Sequence, residues 1–185
     1  MTNRFIILCL LVLVSITNSS SLASNKFAKF IVWNENRKLT WNDFNAKPER
    51  SYPNMEEAQT VSSIEVGYTS TNKKIEITIA AKFYPNLSWH YSNINSSYIL
   101  QHEQLHFDIT ELYARMMRKQ ISEQVKSSKD KSKYNSIVKK IMNNWDNEQN
   151  AYDDQTNHGA NKTEQLKWEN NIQLRLAELD NYKSK

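Results

Sequence analysis

The residues whose types and spacing best suit catalytic chemistry are His102, Glu103 and His106, within "YILQHEQLHFDITELYAR", Tyr98 to Arg115. Residues four apart on an α-helix stand one above the other on the same face, so two imidazoles at this spacing can chelate one ion. At about 100° per residue, Glu103 sits beside them rather than opposite. This is the HExxH arrangement, in which a metal-activated water meets a glutamate able to take its proton. The same face continues with Ile99, Ile109, Tyr113 and Met117, which makes it an inward-facing helix. Burying two histidines and a glutamate there costs several kcal/mol unless they are satisfied, and a metal would satisfy them.

A catalytic zinc site normally has three protein ligands and an open position. On a straight helix Glu111 lies about 140° around the axis from His106 and Asp108 about 160°, so neither points at the ion. The third ligand therefore comes from elsewhere, and His158 leads. It lies in the helix break "TNHGAN" beside Gly159, one of two glycines in the chain. That placement predicts a turn requiring positive φ that holds the imidazole in position. Asp153 and Asp154 are rival ligands in the same stretch. His90, in "SWHYS", reads as a pocket-wall or surface residue. Tyr152 and Tyr98 are candidate oxyanion donors, with plain packing as the alternative role for each.

The elements that must position these residues change character along the chain. "KLTWNDFNAKPE" reads as a short strand running into a turn, with Pro48 closing it. Ile64, Val66 and Tyr68, then Ile75, Ile77 and Ile79, alternate with polar or small residues on either side of Ser70-Thr71-Asn72, which predicts a β-hairpin with one buried face. Pro85 ends the second strand, and the polar, aromatic loop Asn86 to Asn95 leads into the histidine helix. That helix starts at Ser96 or Ser97 as cap and runs uninterrupted to about Ser127. A second is expected from about Lys131 to Tyr152, on Tyr134, Ile137, Val138, Ile141, Met142 and Trp145. The last opens at Asn161 with Glu164 as a capping box, its inward face being Leu166, Glu169, Ile172, Leu176 and Leu179. An N-terminal antiparallel sheet followed by a helical half is an α+β arrangement.

The first residues stand apart from this. "MTNRFIILCLLVLVSITNSSSLAS" has a positive start at Arg4, an apolar run from Phe5 to Ile16 and a small-x-small site at Ser21-Leu22-Ala23. This predicts a signal peptide over residues 1–23, a mature chain starting near Ser24, and one domain over residues 24–185. The alternative is an uncut anchor. The run is too short to span a bilayer well, so no stable membrane insertion is expected after cleavage. The only cysteine, Cys9, lies in this segment, so the mature chain can form no disulfide and any zinc must be held by nitrogen and oxygen. Loss of Arg4 leaves 23 basic against 20 acidic side chains, an excess too small and scattered to argue for nucleic acid.

"LTWNDF" (Leu39 to Phe44), "HEQLHFDITELYAR" (His102 to Arg115) and "YDDQTNHG" followed by "QLKW" (Tyr152 to Trp168) resemble, in order, the blocks of a family of predicted secreted bacterial zinc-dependent proteases that carries a domain of unknown function. The resemblance covers most of the mature chain. It implies a zincin-like metalloprotease with His102 and His106 as zinc ligands and Glu103 as the base. The family's Thr-x-His-Gly block falls on Thr156 to Gly159, which implies His158 as a further ligand. The expected function is thus an exported zinc metallopeptidase, periplasmic or secreted, acting on a peptide or protein substrate. A non-catalytic zinc-binding envelope or interaction module is the competing expectation, and a metal-free helical adaptor the third. Strand addition by an extended substrate to the hairpin is a further expectation.

Overall fold

The computed structural model describes residues 29–48, 57–70 and 75–184. The expected signal peptide and residues 71 and 72 of the expected hairpin turn lie outside them. Five strands are described: β1 (Ile31–Val32), β2 (Ala58–Gln59), β3 (Ser62–Ser70), β4 (Ile75–Phe83) and β5 (Trp89–His90). Three long helices follow, α1 (Ser97–Gln124), α2 (Lys131–Thr156) and α3 (Lys162–Glu178). Antiparallel strands preceding segregated helices make this an α+β fold.

The period-two pattern is realised in the β3–β4 hairpin, whose register sets Ile64 opposite Ala81, Val66 opposite Ile79 and Tyr68 opposite Ile77. One face is thereby apolar, and Ile64, Ile79, Ala81 and Phe83 are buried in the core. The sheet order is β1-β4-β3, so β3 forms one edge, while β2 and β5 pair separately. Phe83 meets Phe107 with ring centroids 5.8 Å apart, and Ser62 hydrogen-bonds Thr110 at 2.8 Å, so the hairpin lies directly on α1.

"LTWNDF" departs from the expected strand. Residues Trp41–Asp43 form one 3₁₀ turn, because the Asp43 carboxylate accepts from the Thr40 amide at 2.8 Å and offers the backbone a local alternative to a ladder. Leu39 N–H donates to Gln104 Oε1 at 2.7 Å, tying this segment to the histidine helix.

α1 begins as expected, with Ser96 Oγ accepting from the Ile99 amide at 3.3 Å. It is buried nearly all round, between the sheet on one side and α2 and α3 on the other, and two further carboxylates on it are paired. Asp108 accepts from Trp33 Nε1 at 2.6 Å, and Glu111 accepts from Arg115 and Arg118. Asp108 thus ties α1 to Trp33, while Glu111 holds two arginines of α1 itself, which reach the Leu176 and Tyr182 carbonyls. α2 buries Tyr134, Ile137, Ile141, Trp145, Gln149, Tyr152 and Thr156, a three- and four-residue stripe that carries the expected helix four residues beyond Tyr152.

In α3, Asn161 Oδ1 accepts from the Glu164 amide at 3.3 Å, as the cap pattern predicts. Its inward face keeps Ile172 and Leu176 as expected, with Leu179 packed against the core, but differs at the first position. Gln165, Ile172 and Leu176 are buried, whereas Leu166 is 58 % exposed. The polar Gln165 takes the inward place because a histidine on α1 bonds it there. Among the described residues no helix is long and apolar enough to cross a membrane.

Candidate metal centre

Three helices converge on the histidine pair. α1 presents both imidazoles from one face, with His102 Nε2 and His106 Nε2 only 3.2 Å apart. α2 brings Asp153 up to them, its Oδ1 standing 3.3 Å from His102 Nε2 and 3.0 Å from His106 Nε2. Four residues earlier on α2, Gln149 Oε1 lies 2.7 Å from His106 Nδ1. α3 supplies Gln165, whose Oε1 lies 3.0 Å from His102 Nδ1. The Tyr152 ring stacks on His102 at 4.6 Å and meets His106 edge-on at 4.8 Å, walling the site with an apolar surface.

The protonation of this group follows from the hydrogen bonds behind it. The Gln149 amide nitrogen donates to the His106 carbonyl at 2.9 Å and to Thr110 Oγ1 at 3.2 Å, which turns its oxygen toward the ring. An oxygen there requires Nδ1 to be the donor, and in a neutral imidazole Nε2 then carries a lone pair. Gln165 Oε1 accepts from Tyr152 OH as well, at 3.3 Å, and sets His102 the same way. Two bare nitrogens and one carboxylate oxygen therefore face one another, an arrangement that needs a positive charge at its centre.

A proton partly meets that need. Burial lowers the His106 pKa, but the charge and hydrogen bond of Asp153, followed by Glu103 and Gln149, raise it to about 9. Burial conversely raises that of Asp153, yet His106, then His102, hold its carboxyl well below the usual range.

A divalent ion meets it better. Ligand bonds of about 2.0–2.1 Å at a tetrahedral centre set donor atoms about 3.3 Å apart, close to the three separations found here. His102, His106 and Asp153 form a group that could hold a metal ion, all donor atoms lying within 4.8 Å of one another. Two imidazoles and one carboxylate also match the nitrogen and oxygen donors that the missing thiols leave available.

Glu103 is buried at the edge of this group, and its Oε2 has no hydrogen-bond partner among the described residues. Its carbonyl accepts from Thr60 Oγ1 at 3.1 Å, linking it to the β2–β3 connection. A buried carboxylate oxygen without a protein donor is costly unless a ligand or substrate group meets it.

His158 stands outside the three-residue group, its Nδ1 3.8 Å from Asp153 Oδ1. Its backbone lies in the left-handed region, φ 52°, between Asn157 at 51° and Gly159 at 83°. The expected positive-φ turn is present, and asparagine and histidine are among the side chains that enter this region most readily. Gly159 is also needed for space, since a Cβ on it would lie 3.2 Å from His102 Cγ. Asp154 is exposed and His90 stacks on Trp41 at 4.7 Å, apart from this group.

Of the two tyrosines considered as oxyanion donors, Tyr152 is fully buried and donates to the His102 carbonyl and Gln165, so it is a packing residue. The Tyr98 hydroxyl is buried without a partner among the described residues, and desolvation raises its pKa. Gln149 and Gln165 escaped the sequence reading. The signal that could have found them is a polar residue at an inward position of an amphipathic helix.

A family profile described as "Bacterial protein of unknown function (DUF922)" matches residues 33–159. The chain belongs to this family. The DUF922 match runs from Trp33 through the Asn157–Gly159 turn, and so includes His102, Glu103, His106, Gln149, Asp153 and His158. The DUF922 description assigns no activity. No curated protein and no solved structure matches the chain.

Proposed function

We propose that this protein is an exported zinc-dependent metallopeptidase of zincin-like design. The observation that carries the reading is the convergence of two imidazole Nε2 atoms and the Asp153 oxygen at 3.0–3.3 Å beside a buried glutamate whose Oε2 has no donor among the described residues. His102, His106 and Asp153 would hold the ion. His158, the ligand expected from sequence, lies near enough to Asp153 to orient it or to join it. The donor spacing favours Asp153 as the third ligand.

When bound, zinc supplies Lewis acidity, acidifying water and polarising a carbonyl. Glu103 Oε2 then accepts a proton from the attacking water and delivers it to the leaving amine nitrogen. Tyr98, one turn before His102, has a hydroxyl without a partner among the described residues and would donate it to the oxyanion. The edge of β3, unpaired among the described residues, begins near the Thr60 bond to the Glu103 carbonyl and would offer backbone groups to an extended peptide.

A second reading is a closed, non-catalytic zinc site in which both Asp153 and His158 ligate, and the 3.8 Å separation of those two residues favours it. Zinc-dependent cleavage of casein or a peptide library, abolished in Glu103→Gln with metal retained, supports the enzyme. Equal activity in Glu103→Gln and wild type counts against it.

A further inference from the structure

We infer that Gln149 and Gln165 are positioning residues that lock His106 and His102 in the Nδ1–H tautomer, so that α2 and α3, by docking, prepare both Nε2 atoms of α1 for a metal. This inference rests on the metallopeptidase reading for its purpose, but its geometry stands apart from it.

Gln149 carries the argument furthest, because its amide cannot be turned round. Its nitrogen is committed to the His106 carbonyl at 2.9 Å and to Thr110 Oγ1 at 3.2 Å. Flipping it would set an oxygen against a carbonyl oxygen. Thr110 is itself fixed, donating to the His106 carbonyl at 3.0 Å while accepting from Trp145 Nε1 at 3.1 Å. The oxygen that remains faces His106 Nδ1 at 2.7 Å.

Gln165 sets one oxygen 3.0 Å from His102 Nδ1 and 3.3 Å from the Tyr152 hydroxyl, whose proton it shares with the His102 carbonyl. Its Nε2 is buried without a partner among the described residues, which makes Gln165 the weaker of the two locks. Both side chains are buried, so water does not compete for these bonds.

An uncharged amide in this place has a consequence that a carboxylate would not. Outer partners of metal-bound histidines fix the ring and tautomer, and charged ones also raise ligand basicity. Glutamines fix the ring without adding negative charge. With Asp153 as the one anionic ligand, a divalent ion keeps a net positive charge and more of its Lewis acidity.

The test has two arms. In the metal-free wild-type protein, above the His106 pKa of about 9, long-range proton–nitrogen NMR reports the tautomer. The expected result is a proton on Nδ1 of both histidines, and rings protonated on Nε2 would overturn the inference. In the second arm, zinc affinity is measured by chelator competition for Gln149→Met, Gln149→Glu and Gln165→Leu, with folding checked by circular dichroism. A loss of about 10- to 100-fold is expected for Gln149→Met and Gln165→Leu, with wild-type or tighter binding in Gln149→Glu. Unchanged affinity in folded Gln149→Met and Gln165→Leu would overturn it. A wild-type protein with both rings in the Nδ1–H form that binds no zinc would support the lock and defeat the metallopeptidase reading.

Discussion

Asp153 Oδ1 on α2 stands 3.0 Å from His106 Nε2 on α1, closer than it stands to His158 Nδ1, five residues further along its own chain, at 3.8 Å. The carboxylate is therefore engaged chiefly by the histidine helix, and this decides which residue the metal would miss most.

Asp153→Ala should weaken zinc binding severely, by about 100-fold or more, because two histidines retain too few protein ligands to compete for the ion. His158→Ala should cost less. Competition with a chromophoric chelator measures both, with His102→Ala as reference. Wild-type affinity in Asp153→Ala together with a large loss in His158→Ala would return the third ligand to His158.

Glu103→Gln should keep zinc and lose cleavage by about 10²- to 10⁴-fold, the ordinary contribution of a general base. Peptide-library turnover and metal content, read on the same sample, check this. Parallel loss of metal would make Glu103 a structural partner of the site.

The metal-free protein should become less stable as pH rises from about 6.5 through about 9. The His106 pKa is raised in the fold above its ordinary value of 6.5, so its proton is held more tightly folded than unfolded. That contribution, on the order of 3 kcal/mol, is complete below the unfolded pKa and lost above the folded one. Urea unfolding across this range should show the loss in wild type and not in His106→Gln. Zinc, by replacing the proton, should flatten the dependence. A metal-free wild type whose change matches His106→Gln would contradict the coupling to Asp153.

Gly159→Ala should destabilise the fold by about 1–2 kcal/mol, since φ of 83° disfavours any Cβ. The same Cβ, 3.2 Å from His102 Cγ, should push the ring and reduce zinc affinity by about tenfold. Thermal melts and chelator competition separate the two effects. An unaffected zinc site would show that the ring does not depend on this close approach.

Much of this architecture was legible because it rests on local periodicity. The hairpin register follows from Ile64, Val66 and Tyr68 alternating on one face. The α1 and α3 caps follow from Ser96 and Asn161. What escaped depended on partners distant in sequence. Leu166 looks like a core residue until Gln165, bonded to His102, claims the inward position. Asp153 could be named beforehand only as a rival to His158, because which of two residues five apart reaches the histidines depends on where α2 ends. That helix runs to Thr156, which places Asp153 on its last turn and one helical turn beyond Gln149, facing α1.

Elemental analysis of the purified mature protein, prepared without chelator, tests the central claim most directly. The account predicts about one zinc per chain, lost in the His102→Ala/His106→Ala double variant. A folded wild-type protein that carries no zinc and takes none up on addition, or that holds a different metal in its place, would contradict it.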